Sequence, residues 1–407
     1  MSRKKLSDLS TFWLIFITGL GFFIDSYDAF SYNVMRVPSL TSLGLTGDEL
    51  TRSGIFILNT MIFGTIIGGF FWGLLGDKIG RKKALLGSII IYSLAMIANS
   101  FIQNVETYAL TRFFVGFGVA GEVGLGATLV AEILPKSKRV MGLAVFSVLG
   151  LLGVATAALS IEFFNWRVLY FVGGIAGLVL LCLRQFLMES KMFVFAKGKG
   201  GFIQPLKEIF TSKKLVLRFL SCILILAPTF FVTGILMTLS PEIAKALNIQ
   251  TPVKANIMMG SYFTVAVLGD FIGAGLTQQV KSRKKAAITF LIGTLILSAF
   301  YLYGLNGAEA LNFYIAGAAL GLVNLWALSA TISVEQFPTH LRATVSTSVY
   351  NCAKLVVIIF NLSFLSLKTY GVIHALSIIG GITILIGLIC AITIRETYHA
   401  DLEKIEI

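Results

Sequence analysis

The chain alternates long apolar runs with short polar loops. Runs of about 20 apolar residues, the length a helix needs to cross a hydrocarbon core of roughly 30 Å, fall at residues 12-35, 51-75, 84-102, 106-134, 140-161, 168-187, 215-240, 253-279, 286-305, 309-336, 343-367 and 371-394. The pattern predicts an all-α polytopic membrane protein with 12 transmembrane helices, and an even number of crossings returns the C-terminus to the side on which the chain began. Small residues at four-residue spacing, as in Gly64 and Gly68, Gly69 and Gly73, and Gly269 and Gly273, let helices approach closely. One loop is long. Residues 191-214, basic and glycine-containing, separate an N-terminal six-helix bundle (1-190) from a C-terminal one (215-407), and the PLKEIF stretch within this linker suits a short helix lying on a membrane surface.

The two bundles repeat one another. GDKIGRKK (Gly76 to Lys83) after the second run returns as QQVKSRKK after the eighth, with Arg283 answering Arg81 at a distance of 202 residues. Glu132, Pro135 and Arg139 return as Glu335, Pro338 and Arg342, the glutamates 203 apart, and the acidic exits Glu189-Ser190 and Glu396-Thr397 are 207 apart. Landmarks that agree on one period near half the chain predict two repeats about a central cavity.

Composition sharpens this reading. With 56% hydrophobic and 13% charged residues, the 407-residue chain is too apolar for water. A net charge of +13 would suit nucleic acid, but the charge is sorted by side. Of the 33 basic residues, 25 lie in the N-terminal tail, alternate loops, linker and C-terminal tail, six lie on the other side, and Arg112 and Lys354 lie inside helices. That asymmetry predicts both termini in the cytoplasm, in an inner or plasma membrane, with anionic lipid rather than nucleic acid as the partner of the excess charge. The first run lacks a cleavage site and carries two aspartates, so it reads as a span and not a signal peptide.

Catalytic and metal chemistry find little support. Cys182, Cys222, Cys352 and Cys390 all lie in apolar runs as small core residues, and His340, His374 and His399 show no metal spacing. Gly116, Gly118 and Gly121 spell G-x-G-x-x-G, yet no strand precedes them and they lie inside a span, so helix packing explains them better than a nucleotide. No Ser or Cys has a base placed for nucleophilic chemistry. The expectation is no enzyme, no cofactor and no metal.

GDKIGRKK between runs two and three, E-x-x-P-x-x-x-R after runs four and ten, and Glu-Ser and Glu-Thr after runs six and twelve resemble the major facilitator superfamily, in particular the branch that holds sugar porters, phosphate:proton symporters and carboxylate transporters. The resemblance covers essentially the whole chain and implies alternating access. It further implies that Asp77, Arg81, Glu132, Arg139, Glu189, Glu335, Arg342 and Glu396 form a cytoplasmic gate that latches an outward-facing state. The second copy lacks an aspartate equivalent to Asp77 and is expected to latch less firmly. The alternative is charge that only sets topology.

Ionisable groups inside spans are costly unless paired or wetted. Asp25 and Asp28, three apart on one helical face, and Arg112 in run four are such groups; Asp28 and Arg112 lie about 12 and 9 Å from their helix ends and can meet. A carboxylate facing a guanidinium stays ionised, whereas one separated and desolvated takes a proton, so rocking the pair apart moves a proton. The resemblance assigns the same pair to proton coupling; a static salt bridge is the alternative. Glu122, between glycines, is a candidate second protonation site or a hydrogen-bonding partner of a neighbouring helix. Lys354, close to the midplane, calls for an anionic substrate or an internal carboxylate such as Asp25 or Glu122. By resemblance it matches a substrate-binding lysine of phosphate:proton symporters, while run seven lacks the residues that phosphate and sugar carriers use.

The expectation is therefore a proton-driven symporter, working as a monomer on protons and a small anionic metabolite, an organic carboxylate, held by Lys354 with Asn351, Tyr27, Asn324, Trp326 and Tyr350 as polar lining. The alternatives are a phosphate or sugar:proton symporter, an exporter or exchanger of a similar compound, and a nutrient sensor with a transporter fold.

Overall fold

In lipid, every backbone N–H and C=O must find a partner within the protein, so each apolar run closes its hydrogen bonds as a helix. A computed structural model describes residues 3–160, 163–187, 189 and 202–399, without the side chains of 3–11, 29, 30, 33, 34, 48, 51, 155, 158 and 159. The first half comprises α1 (Arg3–Ser42), α2 (Gly47–Ile79), α3 (Arg81–Asn99), α4 (Val105–Ile133), α5 (Arg139–Ser160) and α6 (Trp166–Arg184). A short α7 (Gln204–Thr211) covers the stretch expected to form the linker helix; residues 191–201 of the linker lie outside the described ones. The second half comprises α8 (Lys213–Phe231), α9 (Ser240–Ala246), α10 (Ala255–Val280), α11 (Arg283–Tyr303), α12 (Ala310–Ala319), α13 (Trp326–Glu335), α14 (Thr339–Leu367) and α15 (Val372–Thr393). Eleven described stretches are long and apolar enough to cross a membrane, and the 40-residue α1 supplies the twelfth crossing.

Two of the twelve crossings are not the uninterrupted helices the apolar pattern predicts. Run seven passes from α8 through a π-turn at Val232–Leu236 before α9, four residues after Pro228, whose missing N–H breaks the helical ladder. Run ten divides into α12 and α13, with a 3-10 turn at Leu320–Val323 followed by non-helical Asn324 and Leu325. Gly321 permits this break to press against α10: a Cβ there would lie 2.6 Å from the Ala266 nitrogen. Hydropathy is blind to both interruptions, since each run stays predominantly apolar despite Thr233 and Asn324.

The halves meet where α2 packs on α14 and α5 on α10. A Cβ on Gly73 would stand 2.6 Å from the Cα of Thr344, so the first contact depends on glycine. An apolar core that includes Val123, Phe146, Ile225, Trp326 and Val349 runs across the seam. The loop between α2 and α3 turns at Gly80, with φ 109°, a region side chains avoid; its counterpart between α10 and α11 turns at Lys281, with φ 50°.

Candidate functional site

The end of the bundle that carries the start of α1 and the loops at 76–83, 134–139, 280–284 and 335–342 is called the basic face. There the two repeats build the same device twice. Glu189 accepts hydrogen bonds from the backbone N–H groups of Arg81 and Lys82 and so caps α3, while Glu396 does the same for Arg283 and Lys284 at the start of α11. Negative charge at a helix N-terminus is stabilising by about 0.3–1 kcal/mol. Burial pushes the Glu396 carboxyl up, but the bonds it accepts from the Ser282 hydroxyl and from backbone N–H groups more than offset this and hold it below the usual glutamate range. Arg81 then pairs with Glu132 at 3.0 Å, and Arg283 grips Glu335 through Nε and Nη2, both at 3.1 Å.

Each of these glutamates also takes an arginine from the other half. Arg342 reaches Glu132 at 2.9 Å and Arg139 reaches Glu335 at 3.0 Å, all four side chains being buried. Asp77 adds a third tie, accepting from the backbone N–H groups of Ala343 and Thr344 at 3.1 and 2.8 Å. Near its place in the second repeat, Gln278 instead donates to the Ser137 carbonyl at 3.1 Å. The second cluster holds its glutamate between two arginines as the first does, and differs in lacking the cap that Asp77 gives α14. Of the eight expected gate residues, Glu189 and Glu396 act inside their own halves and the other six sit at the seam.

Towards the centre, Ser346 meets both Thr128 and the Gly124 carbonyl, and Asn351 donates to the Ala120 carbonyl at 3.1 Å. Trp326 stacks on Phe22, with ring centres 4.7 Å apart, and on Phe146 at 5.9 Å. A void of about 20 Å³, bordered by Trp326, Ser329, Ser346 and Tyr350, lies at this level. Among the described residues, hydrogen bonds and ion pairs between the halves run from the basic face as far as Lys354 and no further. This face is therefore closed.

Lys354 lies 15 residues into α14, about 22 Å from its start. Its Nζ is 3.7 Å from Asp25 of α1 and 4.7 Å from the centre of the Tyr350 ring, and the Tyr350 hydroxyl is 3.5 Å from Asp25. The lysine side chain is 22% exposed. One turn further along α1, Asp28 is 2.7 Å from Arg112, with side-chain exposures of 1% and 0%. The guanidinium is sandwiched between the rings of Tyr170 at 4.4 Å and Tyr32 at 4.8 Å. Both partners belong to the first half, so rigid rocking of the halves leaves this pair together; parting it requires a change within that half.

The expected substrate lining is not assembled. Tyr350 and Trp326 stand beside Lys354 and the seam, but Tyr27 points its hydroxyl at the Leu169 carbonyl, inside the first half and beside an apolar cavity of about 300 Å³. Asn351 is engaged with backbone on both sides. Asn324 accepts from Tyr262 and donates to Asp270. Sequence spacing put these side chains at similar depth but carried no information about which way each faces.

Two buried charges escaped the sequence reading. Glu122 is not open to the cavity: Arg184 meets it at 2.5 Å and Ser88 donates to it at 2.5 Å, all buried. Arg184 sits at the last residue of α6 and was counted with the loop cations, although it is fully buried. Asp270, midway along α10, is the second; the rule that singled out Glu122 would have found it too.

Twelve crossings in two matching halves, ion-paired across one face, are the architecture of a membrane transporter. The chain belongs to the Major Facilitator Superfamily, whose sequence profile matches residues 14–361, and its members are transporters and not enzymes. It is 28% identical to a probable 4-methylmuconolactone transporter of Cupriavidus pinatubonensis, over 84% of this chain and 80% of that protein. It is 25% identical to the sialic acid transporter NanX of Escherichia coli, over 83% and 82% of the two chains. Among solved structures, the proton:xylose symporter XylE bound to 6-bromo-6-deoxy-D-glucose superposes with a TM-score of 0.76, at 15% identity and over 98% of both chains.

Proposed function

We propose that this protein is a proton-coupled symporter of a small organic carboxylate, acting as a monomer in an inner or plasma membrane with the basic face and both termini in the cytoplasm. Each half, divided near residues 190 and 215, moves as a unit. The observation that carries the reading is the Asp25–Lys354 pair. Among the ion pairs of the described spans it alone joins the halves and keeps a partner accessible, and at 3.7 Å it is the loosest of them.

The chemistry follows from that looseness. A substrate carboxylate that binds Lys354 removes the counter-ion of Asp25. A desolvated carboxylate without a counter-ion takes a proton, so anion and proton enter together and the loaded centre carries no added net charge. With Lys354 satisfied by substrate and Asp25 neutral, the seam loses an attraction and the halves are free to rock. In the empty protein the internal pair serves in place of cargo. Asp28 and Arg112 hold α1 against α4 and position Asp25 rather than exchanging the proton themselves.

The nature of the relatives supports the substrate class. Sialic acid carries a carboxylate, as does niacin, whereas nicotinamide, also in the name of the 24% identical putative niacin/nicotinamide transporter of Bacillus subtilis, is a neutral amide. The test is a thermal-shift screen of the purified protein against nicotinate, sialic acid, di- and tricarboxylates, phosphate and xylose, followed by uptake into proteoliposomes under an imposed proton gradient. Carboxylates should stabilise the protein and accumulate, and Lys354→Ala should weaken both, in line with an affinity loss of about tenfold or more. A sugar or phosphate response that survives Lys354→Ala would overturn the proposal, and binding without counterflow would make the chain a sensor.

A further inference from the structure

Asp270 of α10 is fully buried and has no role in the site described above. Its Oδ1 accepts two hydrogen bonds, from the side-chain amide of Asn324 at 3.1 Å and from the backbone N–H of Ala327 at 3.2 Å. The Tyr262 hydroxyl bonds the Asn324 oxygen at 3.3 Å, which turns the amide nitrogen of Asn324 towards the carboxyl. Asp270 Oδ2 faces one group, the Ser147 hydroxyl on α5 of the other half, at 2.7 Å. Ser147 Oγ is also 2.7 Å from the Ala144 carbonyl of its own helix.

Counting protons along this chain of oxygens decides its state. An ionised Asp270 and the Ala144 carbonyl are both acceptors, and the single Ser147 proton can serve one of them well. If Oδ2 carries a proton, it donates to Ser147 Oγ and Ser147 donates to Ala144, so two protons serve two bonds while Oδ1 accepts the N–H groups as a carbonyl oxygen. Burying a charge without a paired cation is also costly. The groups that face Asp270 from α5 and from the broken α12–α13 crossing are Ser147, Asn324 and the Ala327 N–H, none of them charged. Tyr262, on α10 itself, is the titratable neighbour, and among the described residues no Lys, Arg or His pairs with Asp270. The competing arrangement is an ionised Asp270 capping α13.

We infer that Asp270 is a second proton-carrying site, protonated while the basic face is closed and hydrogen-bonded through Ser147 across the seam. Asp270 lies about 15 Å from the basic-face end of α10, on the surface where α10 packs against α5 of the other half, a contact that opening of that face would part. On opening, the Oδ2–H bond to Ser147 breaks, the proton passes to entering water, and Ser147 keeps its bond to Ala144. The inference rests on the proton-coupled reading above and adds a carrier in the second half to Asp25 in the first.

Infrared difference spectra of the purified protein in lipid at neutral pH, without substrate, test this directly. Wild type should show a protonated-carboxyl C=O stretch that is lost in Asp270→Asn and kept in Asp25→Asn, and Ser147→Ala should shift the same band without removing it. A spectrum unchanged by Asp270→Asn, or a band unmoved by Ser147→Ala, overturns the inference. Should Asp270→Asn fail to fold, the Ser147→Ala shift decides alone. Because no transport is measured, the band can be present even if Asp25 and Lys354 prove not to couple substrate to protons, so the two ideas fail separately.

Discussion

Asp25 and Asp28 stand one helical turn apart on α1 and are tied in opposite ways. Asp28 is sealed against Arg112 inside its own half, at 2.7 Å and between two tyrosine rings. Asp25 reaches across the seam to a partly exposed lysine at 3.7 Å. Burial alone does not make the distinction, since the seam pairs of the basic face are also tight and buried. Glu122–Arg184 is an internal tie, while Glu132–Arg342 and Glu335–Arg139 cross the seam. Ties within a half can be tight and dry because nothing in the cycle has to part them. In the proposed cycle, ties between halves form and dissolve each turn. Substrate can replace Asp25 at Lys354, and at the basic face Glu132 and Glu335 each keep an arginine of their own half, Arg81 and Arg283, when the cross-seam arginine leaves.

The contrast is open to attack from both sides. Removing one partner of a sealed pair leaves an uncompensated buried charge, at a cost of about 3–5 kcal/mol. Arg184→Ala, which strands Glu122, should therefore lower the melting temperature most or prevent accumulation of folded protein, as thermal unfolding by fluorescence would show. Asp28→Asn should cost less, about 2–3 kcal/mol, because the rings of Tyr32 and Tyr170 still face the guanidinium. If both variants melt like wild type, these pairs do not hold the first half together.

Seam variants should behave differently, losing function and not stability. Lys354→Ala removes a charge-assisted contact of about 1.5–3 kcal/mol to the anion, so carboxylate affinity should fall about 10- to 150-fold with little change in melting temperature. Equal loss of stability would erase the distinction. Arg342→Ala and Arg139→Ala should open the basic face, read as faster labelling of a cysteine introduced at Ser346, with Arg342→Ala giving the smaller change because Asp77 still holds α14. Tyr350→Phe should have the smallest effect, about threefold in affinity, since a hydroxyl 3.5 Å from Asp25 contributes weakly.

Much of this was legible in the chain itself, for identifiable reasons. Crossings and repeats are encoded locally, in apolar length and in motifs such as Glu132-x-x-Pro135 and Glu335-x-x-Pro338, and need no knowledge of neighbours. Asp28 and Arg112 could be brought together because depth alone constrains two groups in helices of one bundle. Direction around a helix is another matter. Tyr27, Asn324 and Asn351 have the right depth for a cavity but face their own bundle or backbone. Arg184 was hidden because one residue separates a buried span end from a loop, and the break at Asn324 because hydropathy does not register a lost helical turn.

Proton uptake on substrate binding is the most direct test of the link between Asp25 and Lys354. Calorimetric titration of the purified protein with nicotinate or sialic acid, whichever the thermal screen selects, in buffers of different ionisation enthalpy yields the protons taken up per ligand bound. Wild type should take up about one proton near neutral pH, and Asp25→Asn should take up none while still binding through Lys354. Undiminished uptake by Asp25→Asn, or no uptake by wild type, would contradict the exchange of partners at the centre of this transporter.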